Sequence, residues 1–81
     1  MKELKYFTAK WCGPCRMFKP YILELIEGGS NIKIIDIDEN LDESDRYQIM
    51  SVPSLVFEED GEVFAKFSGG MDPSQIKEML Q

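Results

Sequence analysis

The chain has no histidine and only two cysteines among its 81 residues, which already narrows its chemistry. A zinc site built on the cysteines needs two more thiol or imidazole ligands, and only a second subunit would supply them, so no metal is expected. Basic charge is scarce as well. Nine Lys and Arg against 15 Asp and Glu give a net charge of −6, without the basic stripe that nucleic acid or an anionic membrane requires. No apolar run approaches a membrane span, and MKELKYFTAK at the start carries charge at Lys2, Glu3, Lys5 and Lys10, which leaves no signal-peptide core. The expectation is a cytoplasmic protein with neither nucleic acid nor membrane as partner. Repeats and low-complexity tracts are missing too, and 43% hydrophobic residues in so short a chain predict one compact domain, 1–81, with a small core.

Against these absences, the local patterns are strong. Leu4, Tyr6 and Thr8 alternate with Lys5, Phe7 and Ala9, which predicts a strand over 3–8. Met17, Phe18, Tyr21, Ile22, Leu25 and Ile26 recur at helical spacing, so a helix runs from Cys12 to Glu27, bent at Pro20, and stops at Gly28 and Gly29. NIKIIDID, 31–38, reads as a buried strand, and LDESDRYQIM, 41–50, as a short helix. SLVFEE and EVFAKF flank Asp60 and Gly61, a strong hairpin signal. Asp72 caps a last helix with Pro73 at its first position and Gln75 three residues after the cap. Strands joined through a helix are parallel and hairpin strands antiparallel, so the fold class is α/β: a four-stranded mixed sheet with helices on both faces.

Both cysteines lie in WCGPC, 11–15. A bridge across one turn closes too small a loop to act as a structural clip, and in a reducing compartment such a pair is a redox dithiol. Cys12 stands at a helix start, where unpaired N–H groups and the helix dipole favour thiolate. Cys15, one turn further in, is placed to donate to that thiolate and to attack a mixed disulfide formed on it. Gly13 lets backbone approach the sulfur without a Cβ, and Pro14 suits a first-turn position and stiffens the ring. Lys10, Arg16 and Lys19 add positive charge nearby.

In these residues the chain resembles the thioredoxin family, over essentially its whole length after a missing first strand and helix. AKWCGPCRMFKP is similar to the family's active-site segment, and YQIMSVPSLVFEEDGEVFAKFSGG to its second half. The resemblance implies a thioredoxin fold in which three helices flank the sheet in the order β-α-β-α-β-β-α. It implies a cis Pro53 facing the disulfide, with the Val52 backbone turned outward to pair with an extended substrate segment. Trp11, Gly13, Pro14, Val52, Pro53 and Gly69 then form the contact surface around Cys12. The implied activity is reduction of protein disulfides by the Cys12/Cys15 dithiol in a monomer that binds no cofactor. With no nucleotide-binding fingerprint in the chain, an external reductant, a thioredoxin reductase or glutathione, restores the dithiol.

Two departures from the family stand out. Where thioredoxins commonly have a buried aspartate six positions before the first cysteine, this chain has Tyr6, and the usual neighbouring lysine aligns with Ile34. Losing both together avoids a lone buried charge, and Tyr6 is a poor base at neutral pH. Cys15 is therefore expected to lose its proton to the departing chemistry or to water rather than to a dedicated carboxylate. The second departure is size: length, SVP and GGMD also resemble glutaredoxins, making a glutathione-dependent oxidoreductase the alternative. Gly-Pro between the cysteines and a full hairpin between Pro53 and Gly69 favour a shortened thioredoxin, and the intact cysteine pair argues against a purely binding module.

Overall fold

The computed structural model describes Met1 to Gln81. Its elements are β1 (Lys2–Thr8), α1 (Gly13–Glu27), β2 (Ile32–Asp36), α2 (Leu41–Arg46), β3 (Ser54–Glu59), β4 (Glu62–Ser68) and α3 (Pro73–Met79), in the expected order. The sheet runs β2-β1-β3-β4, with β1 parallel to β2 and antiparallel to β3, and β3 antiparallel to β4. The hairpin turn places Asp60 at φ 53° and Gly61 at φ 87°, the pair of positive values that a tight two-residue connection requires.

Local hydrogen bonding moves two boundaries and refines a cap. β2 stops at Asp36 rather than Asp38, because the Asp36 carboxylate accepts the Asp38 N–H at 2.8 Å and its carbonyl accepts from Asn40 Nδ2 at 3.0 Å, turning the chain. α2 ends at Arg46 rather than near Met50. Gln48 takes a left-handed φ of 54°, and the Gln48 and Ile49 N–H groups return to the Asp45 and Ser44 carbonyls, a Schellman closure. At α3 the Asp72 carboxylate accepts from the Ser74 N–H at 2.9 Å and the Ser74 hydroxyl at 2.8 Å, while Gln75 contributes only its backbone N–H to the Asp72 carbonyl.

The two-residue alternation of β1 and β3 sorts the core onto two faces. Leu4, Tyr6, Leu55 and Phe57 meet Ile22 of α1 and Ile76 of α3 on one face, and all six are fully buried. Phe7, Val56 and Ile35 form the second cluster, against Tyr47 and Ile49 beyond α2. Each buried aliphatic or aromatic side chain contributes about 1.5–3 kcal/mol. The central strands β1 and β3 therefore anchor both core clusters, and the C-terminal end of β1 carries the cysteine loop.

Candidate active site

A short loop carries the chain from Thr8 to the cap of α1. Cys12 is extended there, at φ −87° and ψ 113°, and its Sγ accepts the Cys15 N–H at 3.2 Å. Cys12 and Cys15 are joined by a disulfide, with Cα atoms 5.2 Å apart. A sulfur that caps a helix receives both a direct N–H and the positive end of the dipole, so negative charge on Cys12 is stabilised where it sits. Cys12 is 4% exposed among the exposed Trp11 and Pro14 and the partly exposed Gly13, whereas Cys15 is 1% exposed and lies inside.

The two distant segments named from the sequence converge here. Val52 packs with Ala9, Cys12 and Cys15, and its carbonyl oxygen lies 3.6 Å from Cys12 Sγ. The Val52–Pro53 peptide is cis. Gly69 donates its N–H to the Pro53 carbonyl at 2.7 Å and has φ 90°, a conformation that favours glycine. Trp11 is 65% exposed, with its indole held by Nε1 donating to the Asp38 carboxylate at 2.8 Å. A Cβ at Gly13 would meet nothing within 4 Å, so the fold itself makes no demand for glycine there. Lys10 is not a free cation beside the sulfur: its Nζ pairs with Glu39 at 3.0 Å, which raises its pKa.

Behind the disulfide, Tyr6 is fully buried, edge-on to Phe18 with ring centroids 5.8 Å apart. Its hydroxyl lies 3.3 Å from the Cys15 carbonyl oxygen and 3.4 Å from the Thr8 hydroxyl. Burial pushes its pKa above the ordinary 10, outweighing the hydrogen bond with Thr8, so Tyr6 stays protonated at neutral pH. Ile34 is its register partner on β2. Beside them opens a cavity of about 570 Å³ with Thr8, Cys15, Ile34 and Asp36 in its wall. Neither this cavity nor the Asp38 clamp on Trp11 was apparent from the sequence, because each joins residues through the packing of separate elements. No helix is long and apolar enough to cross a membrane.

Comparison with known proteins matches this arrangement to one family. The family model described as Thioredoxin matches residues 2–81. A thioredoxin of Staphylococcus aureus is 37% identical over 81 residues, covering 96% of this chain and 78% of that one. Among solved structures, a mutant thioredoxin from Halobacterium salinarum NRC-1 superposes with a TM-score of 0.87 at 35% identity, over 98% of this chain and 71% of that one. Fasciola hepatica thioredoxin gives 0.85 at 28% identity, over 98% and 77%.

Proposed function

The chain belongs to the thioredoxin family and is a dithiol thiol-disulfide oxidoreductase; from that premise we propose that it reduces protein disulfides with Cys12 as nucleophile and Cys15 as resolving thiol. The observation that carries the assignment of roles is the Cys15 N–H on Cys12 Sγ, which places Cys12 at the cap of α1 and Cys15 inside its first turn. The Cys12 thiolate attacks one sulfur of the substrate disulfide and expels the other as a thiolate, leaving a mixed disulfide. Cys15 then attacks Cys12 Sγ, the substrate leaves with both sulfurs reduced, and the protein keeps the Cys12–Cys15 disulfide. Two electrons pass from the dithiol to the substrate.

The Val52 carbonyl beside Cys12 supports pairing of an extended substrate segment along the Val52–Pro53 backbone. Trp11, Gly13, Pro14 and Gly69 complete the contact surface, and the open space at Gly13 admits a partner's main chain. The protein acts as a single-domain monomer in cytoplasmic electron transfer and redox homeostasis, without bound cofactor or metal, and a thioredoxin reductase returns it to the dithiol. The thioredoxin matches do not favour the glutathione-dependent alternative.

The test offers the oxidised protein a thioredoxin reductase with NADPH in one reaction and glutathione with its reductase in another, with insulin disulfide as acceptor. Coupling to the thioredoxin reductase is expected, and efficient coupling to glutathione alone overturns the donor. Cys12→Ser abolishes reduction, and Cys15→Ser accumulates the mixed disulfide; turnover retained by Cys12→Ser would sink the mechanism.

A further inference from the structure

Parallel pairing of β1 with β2 sets Tyr6 opposite Ile34 and Thr8 opposite Asp36. These positions are two residues apart on each strand, so all four side chains share the face that α1 covers. Cys15, on the first turn of α1, has its carbonyl 3.3 Å from the Tyr6 hydroxyl on that face, and the cavity of about 570 Å³ is lined by Cys15, Thr8 and Asp36 together. A space this size, with Thr8, Asp36, Glu39 and Asn40 among its lining residues, has room for several waters. We propose that Asp36 takes the Cys15 proton, through the solvent of this cavity and the Thr8 hydroxyl, when Cys15 resolves the mixed disulfide. This amends the expectation, drawn from Tyr6 and Ile34 alone, that no carboxylate takes part.

The other charged groups facing the cavity leave Asp36 as the available acceptor. Arg16 and Lys19 of α1 and Lys10 of the loop are cations, and Glu39 is held by Lys10 at 3.0 Å. Tyr6, reaching Thr8 from behind, is a protonated donor. One Asp36 oxygen accepts the Asp38 N–H at 2.8 Å, which fixes the carboxylate, and its other oxygen makes no hydrogen bond within the protein. The step balances without a further reactant. The Cys15 S–H bond breaks and its proton passes to Asp36, the sulfur's electron pair forms the Cys15–Cys12 bond, and the Cys12–substrate bond breaks with the substrate thiolate leaving. Asp36 then returns the proton to solvent. A carboxylate one register step toward the open end of the cavity serves the buried thiol without itself paying full desolvation.

The inference rests on Cys12 attacking and Cys15 resolving, and the experiment separates the two claims. The reduced protein is mixed with 5,5′-dithiobis(2-nitrobenzoate) in a stopped-flow instrument, where the first thionitrobenzoate released reports Cys12 attack and the second reports Cys15 resolution. Asp36→Asn keeps an oxygen for the Asp38 N–H. It is expected to leave the first release within about twofold and to slow the second by at least about tenfold near pH 6. The second release of the unaltered protein is expected to vary little between about pH 5.5 and 7.5, and that of Asp36→Asn to climb about tenfold per pH unit, as free-thiol ionisation dictates. Thr8→Val follows Asp36→Asn, and Glu39→Gln changes neither phase. An unchanged second release in Asp36→Asn, or its slowing by Glu39→Gln instead, overturns the assignment. Should Asp36→Asn fail to fold, a second release in the unaltered protein that itself climbs about tenfold per pH unit overturns it equally. A second release that persists in Cys15→Ser refutes the resolving role of Cys15.

Discussion

On the sheet face that Tyr47 covers, Lys5 donates to Glu58 at 2.8 Å and to the Tyr47 hydroxyl at 2.9 Å, and Tyr47 in turn donates to the second oxygen of Glu58. On the opposite face, the neighbouring residues Leu4, Tyr6, Leu55 and Phe57 bring a single hydroxyl into the core beneath α1. The difference shows what each face tolerates. Lys5 and Glu58 are 14% and 5% exposed at the side chain, and each charge has a partner in reach. Burial opposes ionisation of Glu58, but hydrogen bonds from Lys5 and Tyr47 outweigh it and hold its carboxyl below the usual 4.5. Burial likewise acts against the Lys5 cation, and the hydrogen bonds to Glu58 and Tyr47 overcome it, raising its pKa. Beneath α1 the Tyr6 hydroxyl meets only the Thr8 hydroxyl and the Cys15 carbonyl, so the buried centre of that face is neutral, with Asp36, Arg16 and Lys19 at the open cavity beside it.

The sharpest way to break the comparison is to charge the neutral face. Tyr6→Asp removes a buried ring and adds a carboxylate with Ile34 as its register partner, at an expected cost of about 4 kcal/mol or more. That approaches the whole stability of a chain this size, about 4–12 kcal/mol. Urea unfolding followed by circular dichroism checks it, and an unshifted midpoint would contradict the account.

Next in size is uncoupling the charged face. Glu58→Leu leaves Lys5 only the Tyr47 hydroxyl and the Glu3 carboxylate at 3.7 Å and is expected to cost about 2–3 kcal/mol, whereas Glu58→Leu with Lys5→Met restores stability to within about 1 kcal/mol of the parent. If the double variant were no better than the single one, the pair would not be what balances the two charges.

The pH dependence of stability separates the faces further. A depressed carboxyl stabilises the fold above its unfolded pKa and loses that contribution as pH falls through the folded value, so the Glu58 contribution fades below about 4.5. The raised Lys5 pKa contributes fully below its unfolded value of 10.5 and is lost as pH rises beyond it. Thermal unfolding of the parent should therefore fall more steeply under both acid and strong alkali than that of the double variant.

Tyr6→Phe is the mildest change. It removes long hydrogen bonds at 3.3 and 3.4 Å, with an expected cost of no more than about 1 kcal/mol and reduction rates within about twofold at neutral pH. Loss of turnover in a folded Tyr6→Phe protein would make the tyrosine a catalytic group.

The elements were legible wherever the signal is local. Alternation marked β1, apolar spacing marked α1, and Asp60–Gly61 marked the hairpin, because strand and helix periods and turn conformations are properties of a few neighbouring residues. The boundaries that moved did so through local hydrogen bonds, from the Asp36 carboxylate to the Asp38 N–H at β2 and between backbone groups around a left-handed Gln48 at α2. Cys12 and Cys15 were readable for the same reason, since the helix start that shapes their chemistry follows them directly. The resemblance that placed Val52 and Gly69 beside them rested on longer motifs.

By itself the sequence determined the dithiol, the helix that starts at its first member, the exclusion of a one-chain zinc site on the cysteines, and the neutral pair Tyr6 and Ile34 behind them. Only the tertiary structure decided what those groups meet. Lys5 finds Glu58 across 53 positions, Trp11 finds Asp38 across 27, and Asp36 joins Cys15 at one cavity because two strands pair in a single register. Period-two alternation assigns a side chain to a face, but its neighbour there depends on strand order and register, which hydrophobic burial selects for the chain as a whole.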